Sequence, residues 1–164
     1  MSTENLSRLS EKAVKLAIRS GADQAQAVAY TRSEDLTRFA NSQIHQNMSA
    51  RSGGLDIRVS VKKRLGDIRS DALDLKSVEL AVKNAIKVAK VSPPNELFKS
   101  LPVPKKIVPL AGIFDRKTAD CPPNYRADCV RQLIQTAHGK STIVKAVAGS
   151  YMTGSACFLS LIHI

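Results

Sequence analysis

From Gly53 to Ser70 the chain reads GGLDIRVSVKKRLGDIRS, and this run limits the fold more than any other. Leu55, Ile57, Val59 and Val61 fall on one side of a period-two alternation, with Asp56, Arg58, Ser60 and Lys62 on the other. Successive side chains of a strand point to opposite faces, so the pattern predicts a strand with one face in a core and one in water. The alternation breaks at Lys62-Lys63-Arg64 and resumes through Leu65 and Ile68, which predicts a hairpin with a basic tip. Gly66 fits a bulge or a close-packed position beside that tip.

Amphipathic helices are expected before and after this region in the chain. Leu6, Leu9, Ala13, Leu16 and Ala17 make an apolar stripe over Asn5–Ser20, with Ser2 or Thr3 as cap and Gly21 at the far end. Leu75, Val78, Ala81, Val82, Ala85, Ile86 and Ala89 make a second stripe, capped by Asp71 or Asp74 and stopped by Pro93-Pro94. Between the helices, strand-like runs cover Ala25–Arg32, Leu36–Ala40 and Ile44–Met48, with Asn41-Ser42 as a turn. The expectation is an antiparallel meander of four or five strands with helices on one face, an α+β unit over residues 1–91.

Residues 92–113 hold Pro93, Pro94, Pro102, Pro104 and Pro109 and read as a stiff linker. A third helix is expected from Pro122 to His138, capped by Asp120 and closed by Gly139, followed by a strand over Thr142–Ala148. One helix and one or two strands cannot bury a sheet face alone. Residues 114–164 are therefore expected to be the truncated start of a second domain, an incomplete α+β unit.

The 164 residues carry a net charge of +11, and the excess is spread: 16 Lys and Arg against 10 Asp and Glu in residues 1–91, 9 against 4 in the rest. With four Phe, three Tyr and no Trp, stacking platforms for single-stranded nucleic acid are scarce, so a solvated basic surface is expected rather than a nucleic-acid face. Cys121, Cys129 and Cys157 are odd in number and lack metal-type spacing, which fits reduced thiols in a cytoplasmic protein with no membrane span.

His45, His138 and His163 stand in no H-E-x-x-H or H-E-x-x-x-H motif, and no phosphate loop, dinucleotide fingerprint or nucleophile elbow occurs. Asp71/Asp74 and Asp115/Asp120 read as helix caps, and Gly149-Ser150-Tyr151 as turn chemistry. No catalytic or metal-ligating residue is expected within this chain. Asn41, His45 and Arg58, on the polar face of the expected sheet, are the candidates for contact with substrate or partner.

Several blocks together resemble the amino-terminal region of the TldD/PmbA family. They are Gly21-Ala22-Asp23, the strand pair Arg38-Phe39-Ala40-Asn41-Ser42-Gln43-Ile44-His45-Gln46, and Gly54-Leu55-Asp56-Ile57-Arg58-Val59. The tip Arg64-Leu65-Gly66 and the helix entry Ala72-Leu73-Asp74 also fit. Phe114-Asp115, Thr118-Ala119-Asp120 and Gly149-Ser150-Tyr151-Met152-Thr153-Gly154 resemble the start of that family's middle domain. The resemblance covers the chain up to about Ser160, and Leu161-Ile162-His163-Ile164 departs from the family's continuation.

That resemblance implies a cytoplasmic zinc-dependent peptidase whose subunits were also named for modulating DNA gyrase. Zinc belongs to an H-E-x-x-x-H motif in a carboxyl-terminal domain that this chain does not reach. The implied partners are a paralogous TldD/PmbA-type subunit, or a second copy, in a dimer, together with unfolded peptide substrate. The alternative is a stand-alone basic module that binds nucleic acid or a protein partner through its sheet and hairpin tip.

Overall fold

A computed structural model describes residues 2–103, 105, 108 and 110–163; Pro104, Lys106, Ile107 and Pro109 of the proline-rich linker, with Met1 and Ile164, lie outside the described residues. The elements are α1 (Thr3–Arg19), β1 (Gln24–Ala40), β2 (Gln43–Val61), β3 (Arg64–Ser70), α2 (Leu75–Val91), α3 (Arg116–Ala119), α4 (Pro123–Lys140) and β4 (Gly149–His163). The strands form one antiparallel sheet in the order β3-β2-β1-β4, so the fold is α+β as expected. The chain makes two compact units, one of Met1–Thr31, Ser52–Val108 and Cys157–Ile164, the other of Arg32–Arg51 and Pro109–Ala156.

The first unit holds the main core. Ser2 caps α1 by accepting from the Asn5 N–H, and Asp74 caps α2 by accepting from the N–H groups of Lys76 and Ser77. Hydrogen bonds from Ser77, the side chain first, hold the Asp74 carboxyl below the usual carboxylate range. The α1 residues Leu6, Leu9, Ala13, Val14 and Ala17 and the α2 residues Val78, Val82, Ala85, Ile86 and Ala89 are buried in one cluster with Ala25, Ala27 and Ala29 of β1 and Leu55, Ile57 and Val59 of β2. Both helices therefore cover the same sheet face, and fully burying a Val or Leu there is worth about 1.5–3 kcal/mol.

The hairpin lies where the alternation predicts it. Its register pairs Val61 with Arg64, Val59 with Gly66, Arg58 with Asp67 and Asp56 with Arg69, with no residue left over for a bulge. Lys62 and Lys63 form the two-residue turn with φ of 50° and 61°, the left-handed region that lets such a turn match the strand twist. Gly66 is the close-packed position: a Cβ there would stand 2.1 Å from the Ala85 carbonyl oxygen and 2.7 Å from the Ala89 nitrogen, both backbone atoms of α2. The tip is pinned on two sides. The Lys62 N–H donates to Asp23 Oδ2 at 2.5 Å, the Asn95 N–H donates to the Lys63 carbonyl at 2.9 Å, and Arg64 Nη1 donates to the Ser92 carbonyl at 2.5 Å.

Three expectations fail in the strands and beyond. The separate runs over Ala25–Arg32 and Leu36–Ala40 are one 17-residue strand, and the run at Ile44–Met48 continues through Gly53-Gly54 into the hairpin as one 19-residue strand. Polar residues inside these runs read as breaks, yet local pairing such as Arg32 with Glu34 and Thr37 Oγ1 with Asn47 Oδ1 (3.0 Å) serves them in strand geometry. Thr142–Ala148 is not a strand; the last strand starts at Gly149, where a boundary turn was expected. Asp120 does not cap the third long helix but closes the short α3, which Asp115 opens; α4 has Pro122 at its cap and runs through Gly139 to Lys140.

Val59 is fully buried while its neighbour Arg58 is exposed. Val59→Asp is expected to lose about 3 kcal/mol or more in urea unfolding, because an unpaired carboxylate enters the core. Arg58→Ala should change stability by about 0.5 kcal/mol or less, as ordinary surface changes do. Equal losses would mean that the buried face is assigned wrongly.

Candidate functional site

The sheet face opposite the helices carries the polar half of the alternation. In the first unit it holds two ion pairs set by the register: Arg58 Nε to Asp67 Oδ1 at 2.6 Å, and Arg69 Nε and Nη2 to Asp56 Oδ1 and Oδ2 at 2.6 and 2.8 Å. The Arg69 pair is a bidentate fork, and its hydrogen bonding to Asp56, with the attraction between the charges, raises the guanidinium pKa further. A shallow pocket of about 520 Å³ opens between these pairs and Gln26 and Val28 of β1.

Beside it an aromatic ledge forms. The Tyr30 ring stacks on Phe158 with centroids 5.8 Å apart and planes at 27°. A Cβ on Gly54 would meet the Tyr30 Oη at 2.7 Å, so Gly54 lets the ring lie against β2. Gln26 Nε2 reaches Ser160 Oγ at 3.4 Å. Tyr30, Phe158 and Gln26 are not among the sequence candidates; for Gln26 and Tyr30 the signal is the even-numbered phase of β1, which opposes the buried Ala25, Ala27 and Ala29.

Arg58 thus stands on this face as expected, exposed and engaged with Asp67. The other two candidates belong to the second unit. His45 is exposed on β2 and its side chain has no hydrogen bond among the described residues; thirteen residues from Arg58 in one strand, it stands in the phase of Leu55, Ile57 and Val59 and not, as expected, in that of Arg58. Asn41 occupies the β1–β2 turn at φ 49°, followed by Ser42 at φ 60°, both in the left-handed region. The turn has a network of its own: Ser42 Oγ lies 2.8 Å from His138 Nε2 and accepts from the Val147 N–H at 3.1 Å, while the Ser42 N–H donates to the Val147 carbonyl at 2.9 Å. Asn41 therefore has a backbone role that its residue type explains without any ligand.

No three His, Cys, Asp or Glu side chains among the described residues converge as metal ligands would. The three cysteines are unpaired. Cys129 contacts both Tyr125 and Tyr151 and raises the pKa of each, by charge repulsion first at Tyr125 and by hydrogen bonding first at Tyr151. No helix among the described residues is long and apolar enough to cross a membrane.

No family model matches the sequence, and no curated protein matches it. Solved structures do. A proposed modulator of DNA gyrase from Bacteroides thetaiotaomicron superposes with a TM-score of 0.85 at 24% identity over 98% of this chain. TldE from Thermococcus kodakarensis superposes at 0.78 and 20% over 94%. A proposed modulator of DNA gyrase from Thermotoga maritima gives 0.65 and 17% over 95%. The fold is therefore that of the TldE and gyrase-modulator structures, and the chain spans 37%, 36% and 34% of their respective lengths.

If Asn41 serves the turn alone, Asn41→Gly should leave the melting temperature unchanged or slightly raised, since Gly adopts positive φ without strain. Asn41→Val should cost about 1–2 kcal/mol in chemical unfolding. Equal tolerance of both would contradict the turn assignment.

Proposed function

We propose that this chain is the amino-terminal part of a TldD/PmbA-type subunit of a zinc-dependent peptidase, and that it shapes the cavity or subunit interface without doing chemistry. The observation that carries the reading is the fold, matched to TldE and to proposed gyrase modulators over almost the whole chain. The one-sided sheet supports it. Both helices cover one face, which leaves the Arg58–Asp67 and Arg69–Asp56 ladder and the Tyr30–Phe158 ledge for another surface. An extended peptide can be gripped through main-chain pairing along a strand, with few demands on its side chains, which suits unfolded substrates of varied sequence.

Zinc does not fit the residues described, since no three ligating side chains converge. The role left to this chain is positional: the polar ladder supplies hydrogen-bonding groups held in fixed register by their own cross-strand pairs. A basic module for nucleic acid draws less support. Of the tip triplet, Lys63 pairs with Glu96 and Arg64 is tied to the Ser92 carbonyl, so two of its three charges are already engaged.

The purified chain is expected to retain no stoichiometric zinc through dialysis and to cleave no unfolded peptide. Zinc at one per chain, lost in His45→Ala, would contradict this. In the assembled peptidase, Arg58→Glu should slow peptide cleavage severalfold or loosen subunit pairing, with circular dichroism and the folded state retained. Normal assembly and cleavage by this variant would remove the face from function.

A further inference from the structure

Among the described residues of the second unit, Arg126 is a buried charge that its surroundings do not explain. It sits in the first turn of α4, 2% exposed. Nη1 donates to the Cys121 carbonyl at 2.7 Å and reaches Thr153 Oγ1 only at 3.5 Å, while Nε is buried without a hydrogen-bond partner. None of the ion pairs among the described residues includes it. Of the five N–H donors of this guanidinium, the one on Nε is buried and unused. Burying a cation without a counter-charge is costly, and the amino end of a helix, being positive itself, adds to the cost. The helix offers no relief of its own: α4 has no acidic residue in its first turn and no side chain bonded at its cap.

The same side chain borders a pocket of about 610 Å³ built wholly from the second unit, within the size range of small-molecule sites. Met48, Phe114, Pro122 and Pro123 give it apolar walls, and Arg51 adds a second cation. Asp35 and Asp120 also border it, and Asp120 is paired with Arg116. Two carboxylates on the lining repel a dianion such as phosphate more strongly than a monoanion. The planar fork of an arginine matches the two oxygens of a carboxylate.

We propose that the pocket around Arg126 binds a small organic monocarboxylate, with the acid group toward the Arg126 guanidinium and the apolar part against Phe114 and Met48. The anion supplies the missing counter-charge at a helix end that favours it, and contact with Met48, Phe114, Pro122 and Pro123, beside the polar Ser33, Asn47 and Ser155, favours an organic acid over an inorganic ion. The site is independent of the peptide reading above, because it lies in the second unit and needs neither a metal nor a partner subunit.

Benzoate is a suitable probe, with benzamide as its neutral counterpart and inorganic phosphate as the dianion, all at constant ionic strength. The melting temperature of the whole chain should rise by about 3 °C or more at saturating benzoate, and little with benzamide or phosphate. Amide shifts should move around Met48, Cys121 and Arg126. Arg126→Met should melt at or above the wild-type temperature without ligand and lose the benzoate response, and Arg126→Lys should bind about tenfold more weakly. If Arg126→Met does not fold, the wild-type comparison still decides. Equal responses to benzoate and benzamide, no response to either, stronger stabilisation by phosphate, or an undiminished response in Arg126→Met would each overturn the proposal.

Discussion

The first unit depends on how closely α2 approaches β3. The helix backbone passes Gly66 at a distance that leaves no room for a Cβ, with the Ala85 oxygen 2.1 Å from where one would stand. Contact this close is possible because the layer between helices and sheet is made of small residues: Ala25, Ala27 and Ala29 on β1, Ala81, Ala85 and Ala89 on α2, Ala13 and Ala17 on α1. A core with no Trp and few other aromatics gets its density from short distances rather than from large side chains. The larger groups, Leu55, Ile57 and Val59, then fill the space beneath both helices from the adjacent strand.

This packing has a consequence for the opposite face. With both helices of the first unit committed to one side, Asp56 and Arg58 of β2 and Asp67 and Arg69 of β3, in the other phase, are not covered by them. They are charged, and they satisfy one another across the strands, Asp56 with Arg69 and Arg58 with Asp67. Exposed pairs of this kind add little stability. Their effect is to hold charged groups at positions fixed by the strand register. The tip of the hairpin differs: its positive charges are drawn into contacts with Glu96 and the Ser92 carbonyl, and so serve the fold.

Much of this was legible in the sequence where local and tertiary demands agree. The Leu55–Val61 alternation gave the buried face; Asp74, the α2 stripe and Pro93 gave the second helix nearly to the residue. Gly66 was recognisable as special, though only the packed helix shows that close approach, and not a bulge, is the reason. The long strands read as separate runs because Ser33-Glu34-Asp35 and Ser49-Ala50-Arg51 interrupt the apolar pattern, and only partners elsewhere in the chain show that the strands continue through them. Thr142–Ala148 has the β-branched residues of a strand, yet its recorded pairing is the Val147 clamp on Ser42. Arg126 was passed over because arginine normally marks a solvated helix face; its place four residues before Val130, on the buried side of α4, was the available clue. Of the candidate residues, Arg58 could be placed on the polar face from alternation alone, whereas the role of Asn41 required its backbone angle.

The account rests on the helices being locked to one face through Gly66, since that lock leaves the other face open. The direct measurement is the unfolding free energy of Gly66→Ala by chemical denaturation, with Gly139→Ala as a control at a position where a Cβ meets nothing within 4 Å. The account predicts a loss of about 2 kcal/mol or more for Gly66→Ala, because backbone atoms cannot move aside as a side chain can, and no loss for Gly139→Ala, which replaces a helical glycine by a better helix former. A Gly66→Ala protein as stable as the original would show that α2 does not sit against β3 as described, and the open face would lose its structural basis.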